Sequence, residues 1–146
     1  MTRRALRESV FKILFRYEFN PVEEMDEQLE FAINELAEKD DDEDAPAEIL
    51  KKDTDKAYIT DRVRDILSNM SSIDEILEEA SEGWSLSRMG KAELAIMRLA
   101  VYEIRFDDDI DCNVALNEAV ELSKKYCNTE AKGFVNAVLQ KVVDNI

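Results

Sequence analysis

Residues 110–143 read IDCNVALNEAVELSKKYCNTEAKGFVNAVLQKVV. Apolar residues recur there every three or four positions, the period of a helix with one buried face. The pattern breaks once, around Tyr126-Cys127-Asn128-Thr129, so the stretch predicts two amphipathic helices joined by a tight turn. Asn113 is expected to cap the first of them, Asn128 to close it in the left-handed conformation, and Thr129 to cap the second. Ala131, Val135, Val138, Leu139 and Val142 form the buried face of the second. Asn117, Glu118 and Asn136 are polar residues that packing alone does not require.

The rest of the chain repeats this helical grammar. Its 146 residues suit a single domain, 1–146, and a chain of that length buries roughly 68–70% of its unfolded surface. Glycine (3) and proline (2) are too scarce to supply the turns of hairpins, and period-two alternation is absent. The expected class is all-α. Helices are predicted over 3–19, with Leu6, Val10, Ile13, Leu14 and Tyr17 inward, and from Pro21, opened by an Asn20–Glu23 capping box, with Met25, Leu29, Ala32, Ile33 and Leu36 inward. A third carries Tyr58, Ile59, Val63, Ile66, Leu67 and Met70. A fourth, with Ile73, Ile76, Leu77 and Ala80, is expected to open on a Ser72–Glu75 capping box.

Trp84 and a serine-rich turn lead into SRMGKAELAIMRLAVYEI, apolar almost all round from Leu94 to Ile104, the mark of a covered central helix. Lys91, Arg98 and Arg105 make its narrow polar stripe. Seven helices with short connections predict two small antiparallel bundles sharing that central helix. The one low-complexity tract, KDDDEDAPAE, predicts a solvated, flexible acidic loop over about 39–53.

Composition excludes several function classes. The chain has no histidine, no glycine-rich phosphate loop and no paired Cys-x-x-Cys motif, so the common triads, most zinc sites and nucleotide cradles are out of reach. No cofactor, metal or catalysis is expected. Cys112 and Cys127 read as reduced thiols of a cytoplasmic protein. Lys12 and Arg16 interrupt the first apolar run, which fails as a signal peptide, and no stretch is apolar enough to span a membrane.

A net charge of −15 argues against indiscriminate nucleic-acid binding, but the charge is uneven. Arg3, Arg4, Arg7, Lys12 and Arg16 face only Glu8 in the first seventeen residues, whereas 18–53 holds fifteen Asp/Glu and three Lys. Cations at a helix start oppose its dipole by about 0.3–1 kcal/mol each. Either these arginines merely solubilise the helix or they serve a partner such as an RNA backbone. Tyr126 is open to a similar choice between edge-of-core packing and stacking on an unpaired base, with Lys124, Lys125 and Lys132 nearby and Glu121 able to pair with Lys125. Glu93 either reaches solvent at a bundle edge or offers an acceptor to a partner.

Four blocks, RRALRESVFKILF, IMRLAVYEI, NVALNEAVELSKKY and FVNAVLQKV, resemble in order and spacing the text of the NusB family of RNA-binding transcription factors. The resemblance implies two three-helix bundles with an extra helix. It also implies binding of boxA-like single-stranded RNA together with a NusE-like small-subunit ribosomal protein. That complex joins RNA polymerase and promotes antitermination, notably of ribosomal RNA transcription. By the same resemblance Arg3, Arg4 and Arg7 contact RNA, Tyr126, Glu130, Lys132 and Phe134 belong to the RNA face, and Phe15 and Glu93 to the protein-partner interface. A homodimer of the free protein is a further expectation left open. The chain departs from the family at Asp111, where proline often follows isoleucine, at Cys127, usually glycine, and at Gly133, usually polar; its acidic loop is longer. The competing reading is a protein-only helical adaptor that binds the ribosomal protein without RNA.

Overall fold

The computed structural model describes residues 1–20, 22–38 and 53–145. Among them are seven α-helices and no strands: α1 (Arg3–Tyr17), α2 (Met25–Glu38), α3 (Asp53–Ser68), α4 (Met70–Ala80), α5 (Lys91–Phe106), α6 (Cys112–Tyr126) and α7 (Ala131–Asp144). Single 3₁₀ turns stand at Val22–Glu24 and Leu86–Arg88. The expected acidic loop lies outside the described residues except for Asp53, which opens α3 instead. The chain divides into two compact units, Met1–Asp65 and Ile66–Ile146.

In the first unit α1 packs on α2. Leu6, Val10, Ile13 and Leu14 are buried as their spacing predicts, and Phe11 joins them. Arg16 binds Glu35 at 2.6 Å, tying the two helices together. Asn20 does not open the second helix. Its amide donates to Arg16 O at 2.8 Å, closing α1, and α2 begins only at Met25 after the 3₁₀ turn. Asp26 and Glu27 in the first turn of α2 suit the positive end of its dipole. Pro21, the expected first-turn proline, is outside the described residues.

In the second unit α5 packs against α4, α6 and α7, and α6 against α7. Every residue of α5 from Leu94 to Ile104 is buried, as an all-round apolar helix requires. Arg98 and Arg105, two members of the polar stripe, both bond within the protein. Arg98, 8% exposed, forks onto Asp74 of α4 through Nε (2.9 Å) and Nη2 (3.0 Å). Arg105 donates to the last carbonyls of α7, Val142 (3.3 Å) and Asn145 (3.4 Å), where the helix leaves acceptors unsatisfied. The five predicted core residues of α7 are all buried, Val135 and Leu139 completely.

Four further caps differ from expectation, each for a local reason. Ser72 lies inside α4, because only Asn69 separates α3 from α4 and its carbonyl already accepts from Ile73 at 3.0 Å. At α6 the cap is Asp111, whose carboxylate accepts from the Asn113 N–H at 2.8 Å. The aspartate standing where the family often has proline thus has a structural role. Asn128 is not left-handed: only Glu82 among described non-glycine residues has positive φ. α6 closes through Cys127, whose N–H reaches Ser123 O at 2.9 Å. The Asn128 side chain instead accepts from Ala131 N at 3.0 Å, the capping role expected of Thr129.

Candidate functional site

The first set of predicted residues sits on α1. Thr2 Oγ1 accepts from Ala5 N at 3.0 Å and starts the helix there, so Arg3 and Arg4 fall in its exposed first turn. Arg7, one turn on, is half-buried. Arg16, fixed on Glu35 and 5.8 Å from the centre of the Phe31 ring, belongs to the packing of α1 on α2. Phe15 is half-buried between Phe11 (6.2 Å) and Phe19 (5.0 Å, edge to face). Phe19 and Phe31 are over half exposed. Sequence reading passed over both, although Phe11, Phe15 and Phe19 stand four apart along one face.

The second set lies around the α6–α7 turn. Tyr126 is half-buried at the end of α6, with Lys125 Nζ 5.5 Å from its ring centre. Glu121 pairs with Lys124 at 3.1 Å. Glu130 and Lys132 are exposed, and Phe134 is half-buried. Glu93 folds back over Gly90, the residue before α5, so closely that its carboxylate occupies the place of a Cβ. Glycine is therefore the residue that lets the side chain curl there. The Cys127 thiol, pushed up to about 11 by burial and then by the charge of Glu93, donates a hydrogen bond to that same carboxylate. A glutamate on α5 and the turn after α6 are held to each other in this way.

A cleft of about 180 Å³ opens beside them, lined by Trp84, Arg88, Glu93, Asn128, Glu130 and Phe134 among others. It joins Glu93, expected at a protein interface, to Glu130 and Phe134, expected at RNA. Tyr126 and Lys132 do not line it. Arg3, Arg4, Arg7 and Phe15 belong to the first unit. Trp84 and Arg88 are the cleft residues that sequence reading missed. Their signal was an isolated tryptophan in a serine-rich turn with an arginine four residues on. Among the described residues no group of three or more Cys, Asp or Glu is placed to hold a metal ion, and no helix is long and apolar enough to cross a membrane.

The NusB family model matches residues 4–144. The transcription antitermination protein NusB of Agathobacter rectalis is 45% identical over 141 residues, covering 97% of this chain and 98% of its own length. The solved structure of T. maritima NusB, 30% identical, covers 99% of this chain and 92% of its own, with a TM-score of 0.82. A crystal structure of antitermination factors NusB and NusE in complex with dsRNA matches at 26% identity and a TM-score of 0.74, covering 99% of this chain and 97% of the matched one. With a family match over residues 4–144 and a 45% identical relative covering 97% of it, the chain belongs to the NusB family.

Proposed function

We propose that this chain is an RNA-binding transcription antitermination factor. It binds boxA-type single-stranded RNA together with a NusE-like small-subunit ribosomal protein, in the cytoplasm, and supports ribosomal RNA transcription by RNA polymerase. It acts by binding, without catalysis. The observation that carries this reading is near-complete coverage by relatives named as antitermination proteins, with a NusB–NusE–RNA complex among the matched structures. Arg3, Arg4 and Arg7 supply cations for phosphates. Tyr126, Lys132 and Phe134 supply aromatic faces and a further cation, and Glu130 an acceptor. Phe15 and Glu93 contact the protein partner. Two exposed arginines set against the dipole of α1 make better sense with an anionic ligand to favour them.

The test is fluorescence anisotropy with a labelled boxA-like oligoribonucleotide, with and without the ribosomal protein, over a salt series. Three or four phosphate contacts give a log–log slope of about −2 to −3 on a single strand. Reversing Arg3, Arg4 and Arg7 together to Glu removes the binding while helicity is kept. Unchanged affinity in that variant overturns the assignment of the arginines. A duplex of the same sequence competing equally overturns the single-strand specificity. Phe15→Asp separates the partner from the RNA, since it weakens the protein complex and leaves RNA binding by the lone chain in place.

A further inference from the structure

We propose that the cleft between the 84–90 segment and the start of α7 takes one unpaired base of the bound RNA, stacked on Trp84, with Phe134 as a side wall and Arg88 toward its phosphate. This rests on the RNA-binding reading and extends it to two residues outside the predicted set. The first observation is how Trp84 is presented. After α4 the chain turns through two left-handed residues, Glu82 (φ 49°) and Gly83 (φ 89°), and the Ser81 hydroxyl donates to Trp84 O at 2.8 Å. Backbone in that region is costly for a glutamate, and the turn it makes leaves the indole 48% exposed. Burying that ring would have stabilised the fold, so its exposure points to a ligand.

The second observation is what surrounds it. Phe134 stands 6.3 Å from Trp84, centre to centre, with the rings tilted by 59°. That tilt makes a wedge open to a flat ring. The Arg88 guanidinium lies 5.9 Å from the centre of the indole ring and is the one cation among the described residues that line the cleft. At about 180 Å³ the cleft falls below the roughly 300–1,000 Å³ of pockets that enclose a whole small molecule, and it suits one planar group on a longer chain. The carboxylates of Glu93 and Glu130 line it as well. They repel a phosphate but accept from exocyclic amino groups, as carboxylates do from cytosine N4. The occupant is therefore a base, not backbone, and an amino-bearing base is favoured over uracil, whose one donor is N3–H.

Trp84 is the only tryptophan in the chain, so its emission reports on this cleft alone. Titrating the full-length protein with unlabelled boxA-like single-stranded RNA quenches that emission in step with binding followed by anisotropy. Trp84→Ala weakens RNA binding by at least about fivefold, the effect of losing one stacked base, whereas Trp84→Phe, which keeps a ring, stays within about twofold. Oligo(C) and oligo(A) quench more than oligo(U) at equal occupancy. The base subsite is overturned if emission is unchanged at saturation, if Trp84→Ala binds as tightly as the parent, or if the ribosomal partner quenches and RNA does not. Equal quenching by oligo(U) overturns the amino preference. Each of those results leaves the RNA-binding function standing provided the Arg3/Arg4/Arg7 reversal still abolishes binding. Absence of any RNA binding, with or without the partner, overturns both.

Discussion

Arg98 and Arg105, in the unit Ile66–Ile146, are used inside the protein, whereas Arg3 and Arg4, in the unit Met1–Asp65, are presented outside it. Arg98 is buried in a helix that is covered on all sides, and it is tolerated there because its Nε and Nη2 bonds find one carboxylate in bidentate geometry. Arg105 is half-buried and sits at the negative end of α7, where cations belong. Arg3 and Arg4 occupy the opposite electrostatic position, the positive end of α1, and are exposed. The same side chain thus has two uses that its local field tells apart. An arginine placed with the dipole or on a buried acid holds helices together, whereas one placed against the dipole in solvent is disfavoured by the helix it starts.

The sharpest way to break that contrast is to remove the internal charge. Arg98→Met keeps the length of the side chain and leaves Asp74 without its fork. The expected loss is about 2–4 kcal/mol, below the full range for a buried pair because Asp74 is a quarter exposed. Urea unfolding measures it, and adding Asp74→Leu recovers most of the loss. A cost under about 1 kcal/mol for the single change would mean that the pair is ornamental. The Arg3/Arg4/Arg7 reversal to Glu gives the opposite sign. It removes RNA binding, and at Arg3, exposed in the first turn, an acid favours the helix by a few tenths of a kcal/mol. Between them lies Asp111→Ala, expected to cost about 1 kcal/mol by loss of the α6 cap, while Asn113→Ala, whose contribution is a backbone N–H, changes little.

How far these uses were legible in the sequence follows from the range of the interactions involved. Periodicity gave the seven helices and the core of α7, because burial on one face is a local pattern. Caps were misread at Ser72, Asn113 and Thr129 because several polar residues compete at each helix start, and chain geometry chooses among them. Asp111 wins over Asn113, and Asn128 over Thr129, by one or two positions. Arg98 showed only as part of a polar stripe, because seven-residue spacing says nothing of Asp74, twenty-four residues away. The cleft was the least visible element. Trp84, Glu93 and Phe134 are brought together by the packing of α5 and α7, and no local pattern contains that.

Cys127 tests the same principle with a neutral donor in place of a cation. Arg98 meets its acid as a charged partner, but the Cys127 thiol meets Glu93 as a neutral donor, and both burial and the adjacent negative charge oppose its ionisation. In a Cys112→Ala background a single thiol titrates, and its thiolate absorbance should emerge only toward pH 11 instead of near 9. The stability consequence has a definite sign. Below about pH 9 the thiol is protonated in folded and unfolded chains alike, and the contribution is fully present. Between about 9 and 11 the unfolded chain gives up a proton that the folded chain keeps, so stability falls with rising pH. The difference from a Cys112→Ala/Cys127→Ala variant should therefore drift against the thiol over that window and stay flat below it. Glu93→Gln removes the charge while burial persists, so the titration should move down only part of the way. A complete return to about 9 would show that the carboxylate, and not burial, governs the turn after α6.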